Sequence, residues 1–180
     1  MTFDQLKDHH KGEVIHVIGA SEMMDKINPS FFDNVITVGV NFAYKNFNAT
    51  YTISRHWKVI EQWKGVYKPD SMLLHPEWTC DLGGFWIDEI GTYFYDANRV
   101  KPDYLYRSRG IMGTALSFAR WLGAKQIVIW GVECNNKYMN GYDCMKDEQS
   151  AQTFMDTNDN NVTIINEYNR LKYGVETIWM

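Results

Sequence analysis

The segment from Ile111 to Gly131 most constrains what this chain can fold into. Apolar residues at 111, 112, 115, 116, 118, 119 and 122 recur at helical spacing with one wide buried face, and Gly123 follows where a helix C-cap glycine belongs. Lys125 to Trp130 (KQIVIW) then reads as a buried strand, closed by Gly131. Helix, glycine, apolar strand, glycine is the unit of an α/β protein, in which each helix carries the chain back so that the next strand joins a parallel sheet.

The same grammar is found upstream. Glu13 to Ile18 (EVIHVI) is a β-rich run ending at Gly19, and Ser21 offers a hydroxyl cap to a helix over Glu22 to Ile27. Asn34 to Val40 (NVITVGV) is a second strand, closed by Asn41, and Thr50 to Ser54 (TYTIS) a third, followed by a helix from His56 to Trp63. The stretch 68–103 holds three of the four prolines and Gly83-Gly84, with short strand-like pieces at Ser71 to Leu74 and Thr92 to Tyr95. It reads as an irregular insertion, either a lid or an edge extension. The region 134–160 is a polar loop with a short helix near Glu148 to Met155. A helix over Val162 to Tyr173, Gly174 as its stop and a strand from Val175 to Trp179 close the chain. The expected fold is a single α/β domain over 1–180, Rossmann-like, with a mostly parallel central sheet flanked by helices.

Composition narrows the function classes. A chain of 180 residues can hide roughly 70% of its unfolded surface, so one core suffices without a metal or disulfide staple. The net charge of -4 argues against general nucleic-acid binding, which needs a basic face to displace counterions. Met1 to Lys11 is polar, and no apolar run approaches the ~20 residues of a membrane span, so a cytoplasmic protein is expected. Cys80, Cys134 and Cys144 form no CxxC pair, which suits reduced thiols; a zinc site from Cys134, Cys144 and a distant His lacks paired spacing. Seven Trp and eleven Tyr either pack the core or line a pocket or subunit contact, and a homo-oligomer would cover the aromatic middle segment.

In open α/β sheets ligands lie beyond the carboxyl ends of the strands, so the residues after each strand are the candidates. Gly19-Ala20-Ser21 either presents backbone N–H groups to an anion at a helix start or is a tight turn with a serine cap. Asn41 either contacts a base or sugar hydroxyl or caps its turn. Ser54, Arg55 and His56 follow the third strand; Arg55 suits phosphate and His56 is the candidate acid or base, against a solvated helix start. Arg107-Ser108-Arg109-Gly110 precedes the amphipathic helix as an anion site in outline, or as a serine cap with two solvated arginines. Gly131 and Glu133 complete the edge, and Glu133 with Asp143 and Asp147 lacks the close spacing of a metal pair. His9-His10 reads as an exposed pair in a polar leader, and His16 as a packed or hydrogen-bonded strand residue.

Four blocks in order, VIGASEMMDKI, ITVGVNFAY, SRGIMGTALSFARWLGAKQIVIWGVE and NVTIINEYNRLKYGVETIW, carry a resemblance. The chain resembles the Rossmann-like superfamily that joins Campylobacter-type sialyltransferases with the MptE-like proteins of pterin pyrophosphokinases and flagellin-modification factors. The resemblance implies a nucleotide or nucleotide-sugar ligand, with Gly19 and Ser21 near phosphate or ribose, Asn41 on the nucleotide, and Ser108 to Gly110 with Gly131 framing the crevice. Ala20 stands where that family's loop has an asparagine, and 156–161 lacks the sialyltransferase histidine.

The expected function is therefore a transferase that uses a nucleotide-activated donor, glycosyltransferase-like, with Arg55, Arg107 or Arg109 stabilising the leaving phosphate and His56 as base. The alternatives are ATP-dependent pyrophosphoryl transfer and a non-catalytic nucleotide-binding or sequestering protein, as a viral or accessory gene product would be. No residue pattern specifies a cofactor; Mg²⁺ or Mn²⁺ would arrive with a nucleotide.

Overall fold

The computed structural model describes residues 4–54, 59, 72–75, 85–86, 111–132, 162–163, 165–167 and 169–180. Among the described residues seven strands form one sheet: β1 (Val14–Ile18), β2 (Ile36–Val40), β3 (Tyr51–Ile53), β4 (Met72–His75), β5 (Phe85–Trp86), β6 (Gln126–Trp130) and β7 (Glu176–Trp179). Their order is β5-β4-β3-β2-β1-β6-β7, and every neighbouring pair is parallel. The chain winds outward from β1 in one direction and then crosses to β6 on its other side, which is the doubly wound α/β arrangement. β4 and β5 come from the proline-rich stretch 68–103, so part of that stretch extends the sheet at its edge.

Strand alternation divides the core in two. Ile15, Val17, Val38, Val40, Tyr51, Ile53, Ile127 and Ile129 face the helix Ile111–Trp121 and Val162 and Ile165 of the terminal helix, whose described residues span 162–173. On the other face, Ile18, Val128 and Trp130 meet Met24, Phe32, Phe42 and Phe47. Both faces are thus covered, as a parallel sheet requires.

On the second face the expected helix over Glu22 to Ile27 is corrected. Glu22–Lys26 is a five-residue 3-10 turn. Asn28 precedes Pro29 and is extended (φ -64°, ψ 120°), because the proline ring disfavours helical backbone before it. The few residues left between Ser21 and that stop cannot nucleate a stable α-helix. Asn28 instead caps the next turn, Pro29–Phe32, its Oδ1 accepting the Ser30 N–H at 3.1 Å.

The helix Ile111–Trp121 is buried beyond its apolar stripe: Thr114, Ser117 and Arg120 are also enclosed. The Arg120 guanidinium lies 4.5 Å from the Tyr173 ring, and the Lys7 ammonium 5.2 Å from the Trp121 ring. The N-terminal segment, read from sequence as a polar leader, is likewise part of the domain. Asp8, His10 and Gly12 donate their N–H groups to the carbonyls of Trp121, Leu122 and Gly123, so the segment satisfies the helix's last acceptors, and Leu6 is fully buried. Gly123 (φ +95°) and Gly174 (φ +65°) both take the left-handed backbone that ends a helix. Among the described residues no helix is long and apolar enough to cross a membrane.

Candidate functional site

The strands β1, β2, β3 and β6 end level with one another. Ile18 stands opposite both Gly39 and Trp130, and Val40 opposite Ile53. The residues that follow them, Gly19 to Ser21, Asn41, Ser54 and Gly131, therefore share one carboxyl edge, with the reversal of winding between β1 and β6 at its middle. In doubly wound sheets such a reversal is where ligands are bound.

At this reversal the ends of β1 and β6 are joined. The Gly19 N–H donates to the Trp130 carbonyl at 2.7 Å and the Ser21 N–H to the Gly131 carbonyl at 3.1 Å. A Cβ on Gly19 would run into the Gly131 carbonyl oxygen and approach Val132 Cγ2 at 2.9 Å, so glycine is required by protein packing at this joint. Gly131, at φ +65°, faces the Met24 side chain. Of the backbone N–H groups in Gly19-Ala20-Ser21, two are engaged by β6, and the following turn is too short to supply a helix dipole.

The Ser21 side chain has a different position from the expected cap. It makes no capping bond, is 6% exposed, and among the described residues its Oγ has no hydrogen-bond partner. A buried hydroxyl without a partner costs about 1–3 kcal/mol.

Asn41 and Ser54 are brought into contact across β2 and β3. The Ser54 hydroxyl, completely buried, donates to Asn41 Oδ1 at 2.8 Å. Asn41 has φ +53°, a left-handed conformation that asparagine tolerates better than most residues. With Oδ1 occupied, the half-buried amide offers its Nδ2–H₂ donors at the strand end. Arg55, His56, Arg107, Ser108, Arg109, Gly110 and Glu133 lie outside the described residues.

His10 and His16 are held by contacts within the fold. His16, in mid-strand, accepts the Trp130 indole N–H on Nδ1 at 3.0 Å and stacks on that ring at 6.1 Å. Its burial favours the neutral form and lowers its pKa from 6.5. His10 Nε2 lies 2.7 Å from the Tyr51 hydroxyl, which corrects its reading as an exposed residue without a role. Burial, and then the neighbouring His9, lower the His10 pKa, with Glu13 opposing, while burial pushes Tyr51 up to about 12.

The sequence reading overlooked a second concavity, between the terminal helix and β7, lined by Thr163, Asn166, Glu167, Arg170, Thr177 and Trp179. Its signal was present: 163, 166, 167 and 170 repeat at helical spacing as a polar stripe. The chain matches no protein-family model, and no curated protein or solved structure is significantly similar to it.

Proposed function

We propose that the crevice at the β1–β6 reversal binds a nucleotide, and that the protein is a transferase acting on a nucleotide-activated donor, most simply a nucleotide-sugar. The observation that carries this reading is the buried Ser21 hydroxyl, unpartnered among the described residues, at the switch point of a doubly wound parallel sheet. The neutral part of the ligand, ribose or base, suits Ser21 and the Asn41 amide, because both are uncharged groups at the carboxyl edge.

The phosphates are assigned to the amino end of the helix Ile111–Trp121. That helix runs opposite to the strands, since Gly123 and the start of β6 bring its carboxyl end to the sheet's amino edge, where Lys125 N–H meets the Glu13 carbonyl. Its eleven residues span about 16 Å, the length of a five-residue strand. Ile111 is therefore level with the strand ends, and a full-length α-helix supplies there the dipole that the Glu22–Lys26 turn lacks. Arg107 and Arg109, which precede Ile111 in the sequence, are the charges suited to a leaving phosphate.

The test is a thermal-shift panel of nucleoside mono- and diphosphates and nucleotide-sugars, with and without Mg²⁺ or Mn²⁺, followed by assay of donor hydrolysis on any ligand that binds. Binding that Ser21→Val or Asn41→Ala weakens supports the site, and slow donor hydrolysis supports the reaction. An unshifted melting temperature across the panel would sink the reading.

A further inference from the structure

The groove between the terminal helix and β7 has a volume of about 350 Å³, the size of a small-ligand site. Val162, Ile165 and Asn169 point inward and are buried, whereas Thr163, Asn166, Glu167 and Arg170 form the flank beside Thr177 and Trp179. The apolar residues thus pack inward and the polar ones face solvent, as in any amphipathic helix. Trp179 leaves half its surface exposed, at 51%, among hydrogen-bonding groups. The Thr177 hydroxyl donates to Asn166 Oδ1 at 3.1 Å, which orients the amide and leaves Nδ2 for another acceptor.

We infer that this groove is a binding site for a saccharide ring. One face of a pyranose is a layer of C–H groups that loses water on an indole surface. Its vicinal hydroxyls each donate and accept, so they require both kinds of partner around the ring. Glu167 supplies acceptors, Arg170 and the Asn166 Nδ2 supply donors, and Thr163 supplies both. A nucleobase fits less well, because among the described lining residues Trp179 is the single aromatic face and a stacked base gains most between two.

The position matters for the chain as a whole. Trp179 stands opposite Ile129 at the carboxyl end of β7, so the groove opens at the same edge as the crevice. β7 is two strands from β1, a separation of roughly 10 Å. The groove lies where a sugar acceptor would be presented to a donor in the crevice, yet its own chemistry stands whether or not the crevice takes a nucleotide.

The test titrates the full chain with methyl β-glucoside, methyl β-galactoside, N-acetylglucosamine, cellobiose and lactose, using saturation-transfer NMR and calorimetry, with AMP as the stacking control. At least one saccharide is expected to saturate with a dissociation constant on the order of 1 mM, its ring C–H protons receiving the largest transfer. Trp179→Ala should weaken that binding about tenfold, and Trp179→Phe should retain most of it. Glu167→Gln, on an exposed helix face, should weaken it with the urea midpoint unchanged. Saccharide binding that is absent throughout, or indifferent to Trp179→Ala and Glu167→Gln, overturns the inference, as does AMP binding alone that Trp179→Ala abolishes. Nucleotide binding at the crevice is read separately by thermal shift, so either proposal can fail without the other.

Discussion

Individual residues at the strand ends are held by contacts of two kinds, and substitutions separate them. Gly131 and Gly174 share φ +65°, but a Cβ on Gly174 meets nothing within 4 Å, whereas one on Gly131 strikes Met24, whose Sδ would lie at 2.8 Å. Gly174→Ala should therefore cost only the left-handed backbone penalty, about 1–2 kcal/mol. Gly131→Ala should cost that and the displacement of a buried methionine, roughly 1–3 kcal/mol more. Urea unfolding of the two variants checks the difference, and equal costs would contradict the packing described at the β1–β6 reversal. The histidines set a pH dependence. His16 and His10 both have pKa values lowered below 6.5 in the fold, so the unfolded chain binds more protons. Their contribution is complete above 6.5 and is lost as the pH falls through the folded values. Protonation at Nδ1 would also remove the acceptor that His16 gives to Trp130. Stability should fall as the pH drops below about 6.5, and the slope should be shallower in His16→Phe. A slope unchanged by that substitution would show that His16 titrates as it does in the unfolded chain.

At the scale of elements, length decides what each segment becomes. The eleven residues of Ile111–Trp121 are enough for a helix that spans the sheet, while the segment after β1 is stopped by Asn28-Pro29 and closes as a 3-10 turn. The helix's carboxyl end then needs outside donors, and the N-terminal segment supplies them from Asp8, His10 and Gly12. This segment's attachment is tested at Leu6, which is completely buried in the main core. Leu6→Ala should cost about 2–5 kcal/mol in urea unfolding, the range for a buried leucine. A cost near zero would mean that the segment detaches without disturbing the sheet.

For the molecule as a whole, topology is what converts strand ends into a site. Because β1 lies between β2 and β6, residues far apart in sequence, Ser21, Asn41, Ser54 and Gly131, come to one edge. A ligand that binds only this assembled edge stabilises the entire domain by linkage. At a hundredfold its dissociation constant it adds ~2.7 kcal/mol. In a domain of this size that is a rise of about 5–10 °C in melting temperature. The shift in the nucleotide panel should thus be large enough to rank ligands.

Much of this architecture is legible in the sequence, for local physical reasons. The runs EVIHVI, NVITVGV, TYTIS and KQIVIW become β1, β2, β3 and β6 because apolar β-branched runs bounded by glycine or asparagine have few other stable uses. Gly123 and Gly174 mark helix ends because only glycine takes that backbone freely. The site was legible only as positions after strands. That Gly19 is glycine to admit the Gly131 carbonyl, that Ser21 is buried without a partner among the described residues, and that Ser54 holds Asn41 all depend on contacts across strands. So does the groove at Trp179, whose polar stripe was visible in the sequence without the strand it faces. Local pattern sets which residues form strands and turns; strand order, a long-range property, decides which of their ends meet.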